Sequence, residues 1–196
     1  LSKKADVSEA VYEHESGLKI LPSSLSINEL EKIKPEKMKD FKEDFKEIAE
    51  YVIIDSAAGL GIEAKAVIEM SDELILVTNP EIPAIADALK TIKLAEKLKK
   101  NVLGIIITRV KRNKTEMQPE TVKEMLEVPI LGMIPEDITI QKSLSERDAV
   151  IHTDPKSKSA RAYKEIAANL IGVEYDSDQD RERRLKRLLQ KLGLVA

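Results

Sequence analysis

The sequence predicts an α/β protein, a mostly parallel sheet with helices on both faces, P-loop NTPase-like in class. Short β-branched runs without polar alternation recur along the 196 residues, as in strands buried within a parallel sheet. Segments with helical periodicity separate these runs with short connections. The composition, 42% hydrophobic and 34% charged, is that of a globular protein with a charged exterior.

The N-terminal segments predict two helices and a short strand. Asp6 is suited to cap a helix over Asp6–His14, and Leu18–Leu21 predicts a strand that ends before Pro22. Ser26 and Glu29 have the spacing of a capping box. Apolar residues spaced three and four apart then predict a helix over residues 35–50.

Four apolar runs predict the strands of the sheet. These are Tyr51–Asp55, Glu73–Thr78, Val102–Thr108 and Ile130–Ile134. The helices predicted between and after them are Ile62–Met70, Pro83–Lys100, Gln118–Glu127, Ile138–Arg147 and Ser157–Ile171. Strands and helices that alternate in this way form a parallel sheet covered by helices.

The composition also excludes several classes of function. The chain has no cysteine, so it offers no disulfide, thiolate nucleophile or cysteine-held metal, which fits a reducing cytoplasm. Aromatic residues make up 3%, too few for a platform that stacks single-stranded bases. No apolar run approaches the roughly 20 residues of a membrane-spanning helix. We therefore expect a cytoplasmic protein.

Asp55 closes a predicted buried strand and is followed by small residues up to Gly59. A carboxylate at this place can hold a water of Mg²⁺ or orient an attacking water. Small residues let backbone N–H groups approach phosphate oxygens. The alternative is an ordinary loop in which Asp55 caps the next helix, and so short a motif does not separate the two.

Five motifs together resemble the MinD/ParA group of deviant P-loop NTPases, in particular MinD-type ATPases. They are Ala5–Glu13, Ile54–Gly59, Val77–Glu81, Ile134–Asp137 and Asp154–Ser157. The resemblance covers residues 5–172. It implies a nucleotide-binding domain over residues 1–173, followed by an acidic linker over residues 174–180 and a membrane-targeting helix over residues 181–196.

The resemblance implies ATP and Mg²⁺ as cofactors and assigns roles to particular residues. Asp55 would be the catalytic, Walker B-like carboxylate that reaches Mg²⁺ through water, and Gly59 would lie in the switch that senses the γ-phosphate. The residues implied at the adenine are Thr108, Arg109, Pro135, Glu136 and Asp137. This sequence has Thr108 where the family usually has Asn, and Ala57 where it usually has Pro.

No G-x-x-x-x-G-K-[ST] motif occurs in the 196 residues, nor the lysine-containing variant of the resembled group. A strand–helix–strand unit needs about 30 residues or more. We therefore expect the first strand and the phosphate loop to lie upstream of Leu1, and ATP hydrolysis to be absent from this chain as it stands. The strand edge left unpaired should promote self-association.

The last residues predict a basic amphipathic helix. Leu185, Leu188, Leu189 and Leu192 form one stripe at helical spacing. Residues 181–196 carry six basic side chains against one acidic one, whereas the whole chain has a net charge of −3. The basic residues that flank the stripe include Arg184, Arg187 and Lys191. Such a helix can bind an anionic membrane surface, pack on its own domain, or join a coiled coil.

The sequence therefore leaves three functions open. The first is a MinD-like ATPase for spatial organisation such as division-site placement, peripheral at the inner face of the cell membrane. The intact protein would form an ATP-dependent homodimer. The second is a ParA-like DNA-partitioning ATPase, which the apolar stripe disfavours because phosphate contacts need no such stripe. The third is a non-catalytic interaction module.

Overall fold

The computed structural model describes residues 10–22, 42–56, 59–111, 113 and 115–175. The chain divides into two compact units. The first comprises Leu1–Leu74 and Lys90–Val102, and the second comprises Ile75–Leu89 and Leu103–Ala196.

The described residues form five strands and seven helices. The strands are β1 (Tyr12–Glu13), β2 (Lys19–Ile20), β3 (Glu73–Thr78), β4 (Asn101–Val110) and β5 (Ile130–Pro135). The helices are α1 (Lys42–Ile48), α2 (Ile62–Met70), α3 (Ile82–Lys97), α4 (Pro119–Leu126), α5 (Ile138–Ser145), α6 (Val150–Thr153) and α7 (Lys158–Leu170). None of these helices is long and apolar enough to cross a membrane.

A short antiparallel hairpin opens the described part of the first unit. β1 pairs with β2, with Tyr12 opposite Ile20. The turn between them places Gly17 at φ +83°, a conformation that glycine adopts without a clash from Cβ. The Lys19 ammonium donates to the carbonyl of Ile48 at 2.9 Å, which ties the hairpin to the end of α1.

Helix α2 supplies much of the apolar core of the first unit. Its buried residues are Ala64, Ala66, Val67, Ile68 and Met70. The helix ends at Ser71, whose N–H donates to the Val67 carbonyl at 3.0 Å. The Lys100 ammonium donates to the Ser71 carbonyl at 2.7 Å, so the last turn of α2 is joined to the segment that precedes β4.

The described sheet has the strand order β3–β4–β5, and β4 and β5 run parallel. Its buried residues include Ile105 and Ile107 of β4 and Ile134 of β5. Helix α7 packs on β5. A Cβ built on Gly132 would lie 2.3 Å from Cγ1 of Ile166, so this close approach of helix to strand depends on glycine.

The β4–β5 pairing contains two register shifts of opposite sense. Ile105 faces Ile130, but Ile106 faces Gly132, so β5 has one extra residue between these pairs. Farther on, Ile107 faces Met133 and Val110 faces Pro135, so here β4 has the extra residue. At the second shift two residues of β4 lie opposite one residue of β5, which is a β-bulge. Beyond it, β4 and β5 pair with the same offset as at Ile105 and Ile130.

Most of the predicted elements are confirmed, including α2 and β3 with their predicted bounds. The α/β class with a parallel sheet is confirmed. The strand predicted over Tyr51–Asp55 is wrong, since residues 52–56 have no regular structure and Ile53 is 95% exposed. An apolar run becomes a strand only when another strand accepts and donates its backbone hydrogen bonds, and none of the described residues does so here.

The helix predicted over Asp6–His14 is also wrong over its described end. Tyr12 and Glu13 form β1, because the tight turn at Gly17 returns the chain to pair with β2. Helix α6 was not predicted. The capping box at Ser26 and Glu29, the first turns of the helix predicted over residues 35–50, and residues 181–196 lie outside the described residues.

Candidate functional site

The first unit holds Asp55 and Gly59. The Asp55 side chain is exposed and makes no hydrogen bond or ion pair with any described residue. Gly59 has φ +105°, which requires glycine, and a Cβ there would meet nothing within 4 Å. A free carboxylate followed by an open glycine turn fits the outer shell of a hydrated Mg²⁺ ion.

The second unit brings the other predicted residues together at the carboxyl ends of β4 and β5. Pro135 lies opposite Val110, and the Glu136 N–H donates to the Val110 carbonyl at 3.0 Å. Thr108 and Arg109 therefore lie beside Pro135 and Glu136, although they are far apart in the sequence. Ligands of parallel α/β sheets bind at this edge.

Thr108 and Arg109 form the bulged end of β4 and differ in how their side chains are engaged. The Thr108 hydroxyl donates to the carbonyl of Thr78 in β3 at 3.2 Å, so it is already used within the sheet. Arg109 adopts φ +56°, an uncommon conformation for a residue with a Cβ. Its exposed guanidinium has no ion pair with the described residues, so it is available to a ligand.

The segment after β4 is tied to both neighbouring strand ends. The Lys111 ammonium lies 3.1 Å from Oε2 of Glu136, and the Lys111 N–H donates to Oε1 of Glu116 at 2.8 Å. The Met117 N–H donates to the carbonyl of Pro80, just beyond β3, at 3.1 Å. The sequence motifs do not single out Lys111, although its place in a short basic loop after a predicted strand was an available signal.

Asp137 caps helix α5. Its Oδ1 accepts from the Thr139 N–H at 3.0 Å, and its Oδ2 accepts from the N–H and the hydroxyl of Ser159 at 3.3 and 3.1 Å. The Thr139 N–H, together with the Ser159 donors, holds the pKa of Asp137 below its usual range. The Thr139 hydroxyl is buried beside it and makes no well-formed hydrogen bond, although its proximity also lowers the pKa of Asp137.

The strand-end residues of the second unit suit the base of a nucleotide better than its phosphates. Pro135 offers an apolar ring and Arg109 a planar cation, surfaces that suit a flat aromatic base. The 196 residues contain no glycine-rich loop of the kind that cradles phosphates. The described residues include no group of three or more side chains suited to hold a metal ion directly.

The family profile described as ParA, NUBPL iron-transfer P-loop NTPase, matches residues 34–171, which is more than half of the chain. The chain belongs to the ParA/MinD family of P-loop NTPases. The family resemblance carried by the sequence motifs is thereby confirmed. The iron-transfer activity in the profile's description is not matched by thiolate ligands here, because these 196 residues contain no cysteine.

Relatives within the ParA/MinD family include archaeal and bacterial proteins. An uncharacterized ATP-binding protein of Methanocaldococcus jannaschii is 36% identical over 183 residues, which is 93% of this chain and 69% of that protein. The septum site-determining protein MinD of Bacillus subtilis is 30% identical over 146 residues, covering 71% of this chain.

The structure is similar to that of MinD from Pyrococcus horikoshii in complex with Mg-ADP. The TM-score is 0.81 at 30% identity, over 87% of this chain and 70% of that one. The chain thus spans about two thirds of the length of these archaeal proteins and 54% of the length of Bacillus subtilis MinD.

Proposed function

We propose that this chain is the larger, C-terminal part of a MinD-like ATPase that acts at the membrane in spatial organisation, such as division-site placement. The observation that carries the proposal is the strand-end cluster of Thr108, Arg109, Pro135 and Glu136. The same fold binds Mg-ADP in the Pyrococcus horikoshii relative, which supports a nucleotide as the ligand.

In this proposal the residues of each unit have their own role. Pro135 and Arg109 would flank the base. Asp55 would accept a hydrogen bond from a water in the shell of Mg²⁺ and so help to orient the phosphates. Bound Mg²⁺ supplies positive charge that offsets the charge developing on the transferred phosphoryl group. Gly59 would let the backbone approach the γ-phosphate.

ATP hydrolysis tests this proposal when two lengths of protein are compared. The 196-residue chain should bind Mg-ATP too weakly for calorimetry at micromolar concentration, because no phosphate loop is present in its sequence. A protein extended upstream to include such a loop should hydrolyse ATP.

Within the extended protein, Asp55→Asn should lower kcat by about tenfold or more, while Glu63→Gln should not change it. Glu63 is the matched control because it is an exposed acid in the same unit, on the first turn of α2. Micromolar Mg-ATP affinity of the short chain, or full turnover with Asp55→Asn, would contradict the assigned roles.

Membrane binding is proposed for residues 181–196 on sequence alone. Each buried leucine contributes at most about 1.5–3 kcal/mol and each basic residue about 1 kcal/mol at an anionic surface. Ordering the helix costs about 1–2 kcal/mol per residue, so one tail should bind weakly. An ATP-dependent homodimer would present two tails and gain avidity. The protein would then be cytoplasmic, and peripheral at the inner face of the membrane when dimeric.

A further inference from the structure

We propose that Asp137 is a positioning residue: its carboxylate joins the N-terminal turns of α5 and α7 and thereby holds Pro135 and Glu136 in place at the end of β5. Its importance for nucleotide binding rests on the proposed function. The junction itself is a property of this chain and is testable without any nucleotide.

Both carboxylate oxygens of Asp137 are engaged by the protein. Oδ1 accepts from α5 through Thr139, and Oδ2 accepts two donors from Ser159 in the first turn of α7. Hydrogen bonds to a charged acceptor are about twice as strong as neutral ones. A ligand that used this carboxylate would have to replace donors that the fold already supplies.

The Ser159 donors depend on Asp137 because water has little access to them. Ser159 is 0% exposed, so loss of the carboxylate would leave a buried N–H and a buried hydroxyl with fewer acceptors. The Ser157 hydroxyl lies 3.3 Å from the Ser159 hydroxyl, but it already accepts a hydrogen bond from the Ala160 N–H. Asp137 is therefore the charged acceptor for both Ser159 donors, while Ser157 caps the helix.

The backbone at Glu136 is held by hydrogen bonds on both sides. Its N–H is bonded to Val110 of β4, and its neighbour Asp137 is bonded to α5 and α7. The Lys111–Glu136 ion pair is formed on this fixed backbone. Asp137 thus acts on the strand-end cluster through backbone placement.

The test is amide hydrogen exchange and carboxyl titration by NMR on the 196-residue chain. Asp137→Ala removes the acceptors for both helices. Asp137→Asn keeps one acceptor oxygen but presents an NH₂ group in place of the other. Glu165→Gln is the matched control, since it removes an exposed carboxylate from α7 itself.

In Asp137→Ala, the amides of Thr139 and Ser159 should exchange about tenfold faster or more, as expected for loss of a charged acceptor. The Glu136 amide keeps its acceptor, the Val110 carbonyl, and should exchange faster because Asp137 no longer holds its backbone in place. In Asp137→Asn, one of the Thr139 and Ser159 amides should keep its protection and the other should lose it. Ile105, whose N–H bonds to Pro129 in the same unit, reports global opening. Glu165→Gln should change none of these rates.

Ser159→Ala keeps the backbone donor but removes the hydroxyl, so the pKa of Asp137 should rise toward its ordinary value. This titration decides the question if Asp137→Ala fails to fold. Unchanged exchange at Glu136 in Asp137→Ala, or an unchanged Asp137 titration in Ser159→Ala, would overturn the proposal. Neither result depends on whether the extended protein hydrolyses ATP, so the two proposals fail separately.

Discussion

Replacement of Gly132 by alanine tests whether the contact between α7 and β5 is as close as the structure shows. The new Cβ would lie 2.3 Å from Cγ1 and 2.6 Å from Cδ1 of Ile166. Both distances are shorter than a carbon–carbon contact permits, so helix or strand must move. Overpacking of this kind costs about 1–3 kcal/mol.

The backbone at Gly132 is outside the left-handed region, so alanine meets no conformational strain there. Restriction of the unfolded chain then favours alanine by about 0.4–1 kcal/mol. The two effects together predict a net loss of roughly 1–2 kcal/mol, measured as the free energy of unfolding in urea. Gly61→Ala is the matched control, with φ −63° and no atom within 4 Å of the new Cβ. It should change stability by less than about 0.5 kcal/mol.

A double-mutant cycle with Ile166→Ala identifies the cause. Ile166→Ala alone should cost about 2–5 kcal/mol, because Ile166 is buried. In that background Gly132→Ala should be neutral or stabilising, since the clashing atoms are gone. A coupling free energy of about 0.5–3 kcal/mol is expected. Additive effects, or a Gly132→Ala protein as stable as Gly61→Ala, would refute the packing account.

Four further outcomes are expected. Gly104→Ala should cost at least about 2 kcal/mol in urea unfolding, because φ is +153° and the Cβ would lie 2.4 Å from the Pro129 carbonyl oxygen. Thr139→Val should change the free energy of unfolding by less than about 1 kcal/mol in the same assay, because it removes a buried hydroxyl that makes no well-formed hydrogen bond but that lowers the pKa of Asp137. The pKa of Asp137 is lowered in the folded state, so its stabilisation is present above about pH 4 and is lost as pH falls through the folded-state pKa. The stability difference from Asp137→Asn should therefore shrink in acid. In a peptide of residues 181–196, Leu188→Glu should abolish helix formation on anionic vesicles seen by circular dichroism; survival of binding, or helix induction by duplex DNA alone, would favour another partner.

The strands of the sheet were predictable because each is a short apolar run that can be recognised from its local sequence. Glu73–Thr78 is a compact apolar run bounded by polar residues, and the helix before it buries one contiguous set of small and β-branched residues. The run at residues 51–55 has the same local signal but no described partner strand. Strand formation depends on pairing, which a local pattern does not contain.

The location of the candidate site followed from the rule that ligands bind beyond the carboxyl ends of parallel strands. At this edge the structure has Pro135 opposite Val110, two residues after Thr108. The rule does not say which polar side chains at this edge already form hydrogen bonds within the protein. That the Thr108 hydroxyl bonds to Thr78 and the Asp137 carboxylate to Ser159 depends on tertiary distances, which no sequence spacing reveals.

The paired register shifts between β4 and β5 constrain how this region accepts insertions and deletions. One extra residue in β5 near Leu131 is offset by one extra residue in β4 near Arg109. An extra residue of this kind is unpaired, so its deletion alone removes no paired residue and leaves the remaining pairs on their faces. Elsewhere in either strand side chains alternate between faces, so a single-residue deletion would turn one end of the strand to the opposite face. Differences of one residue in length among relatives should therefore fall near Leu131 or near Arg109, and not between these places.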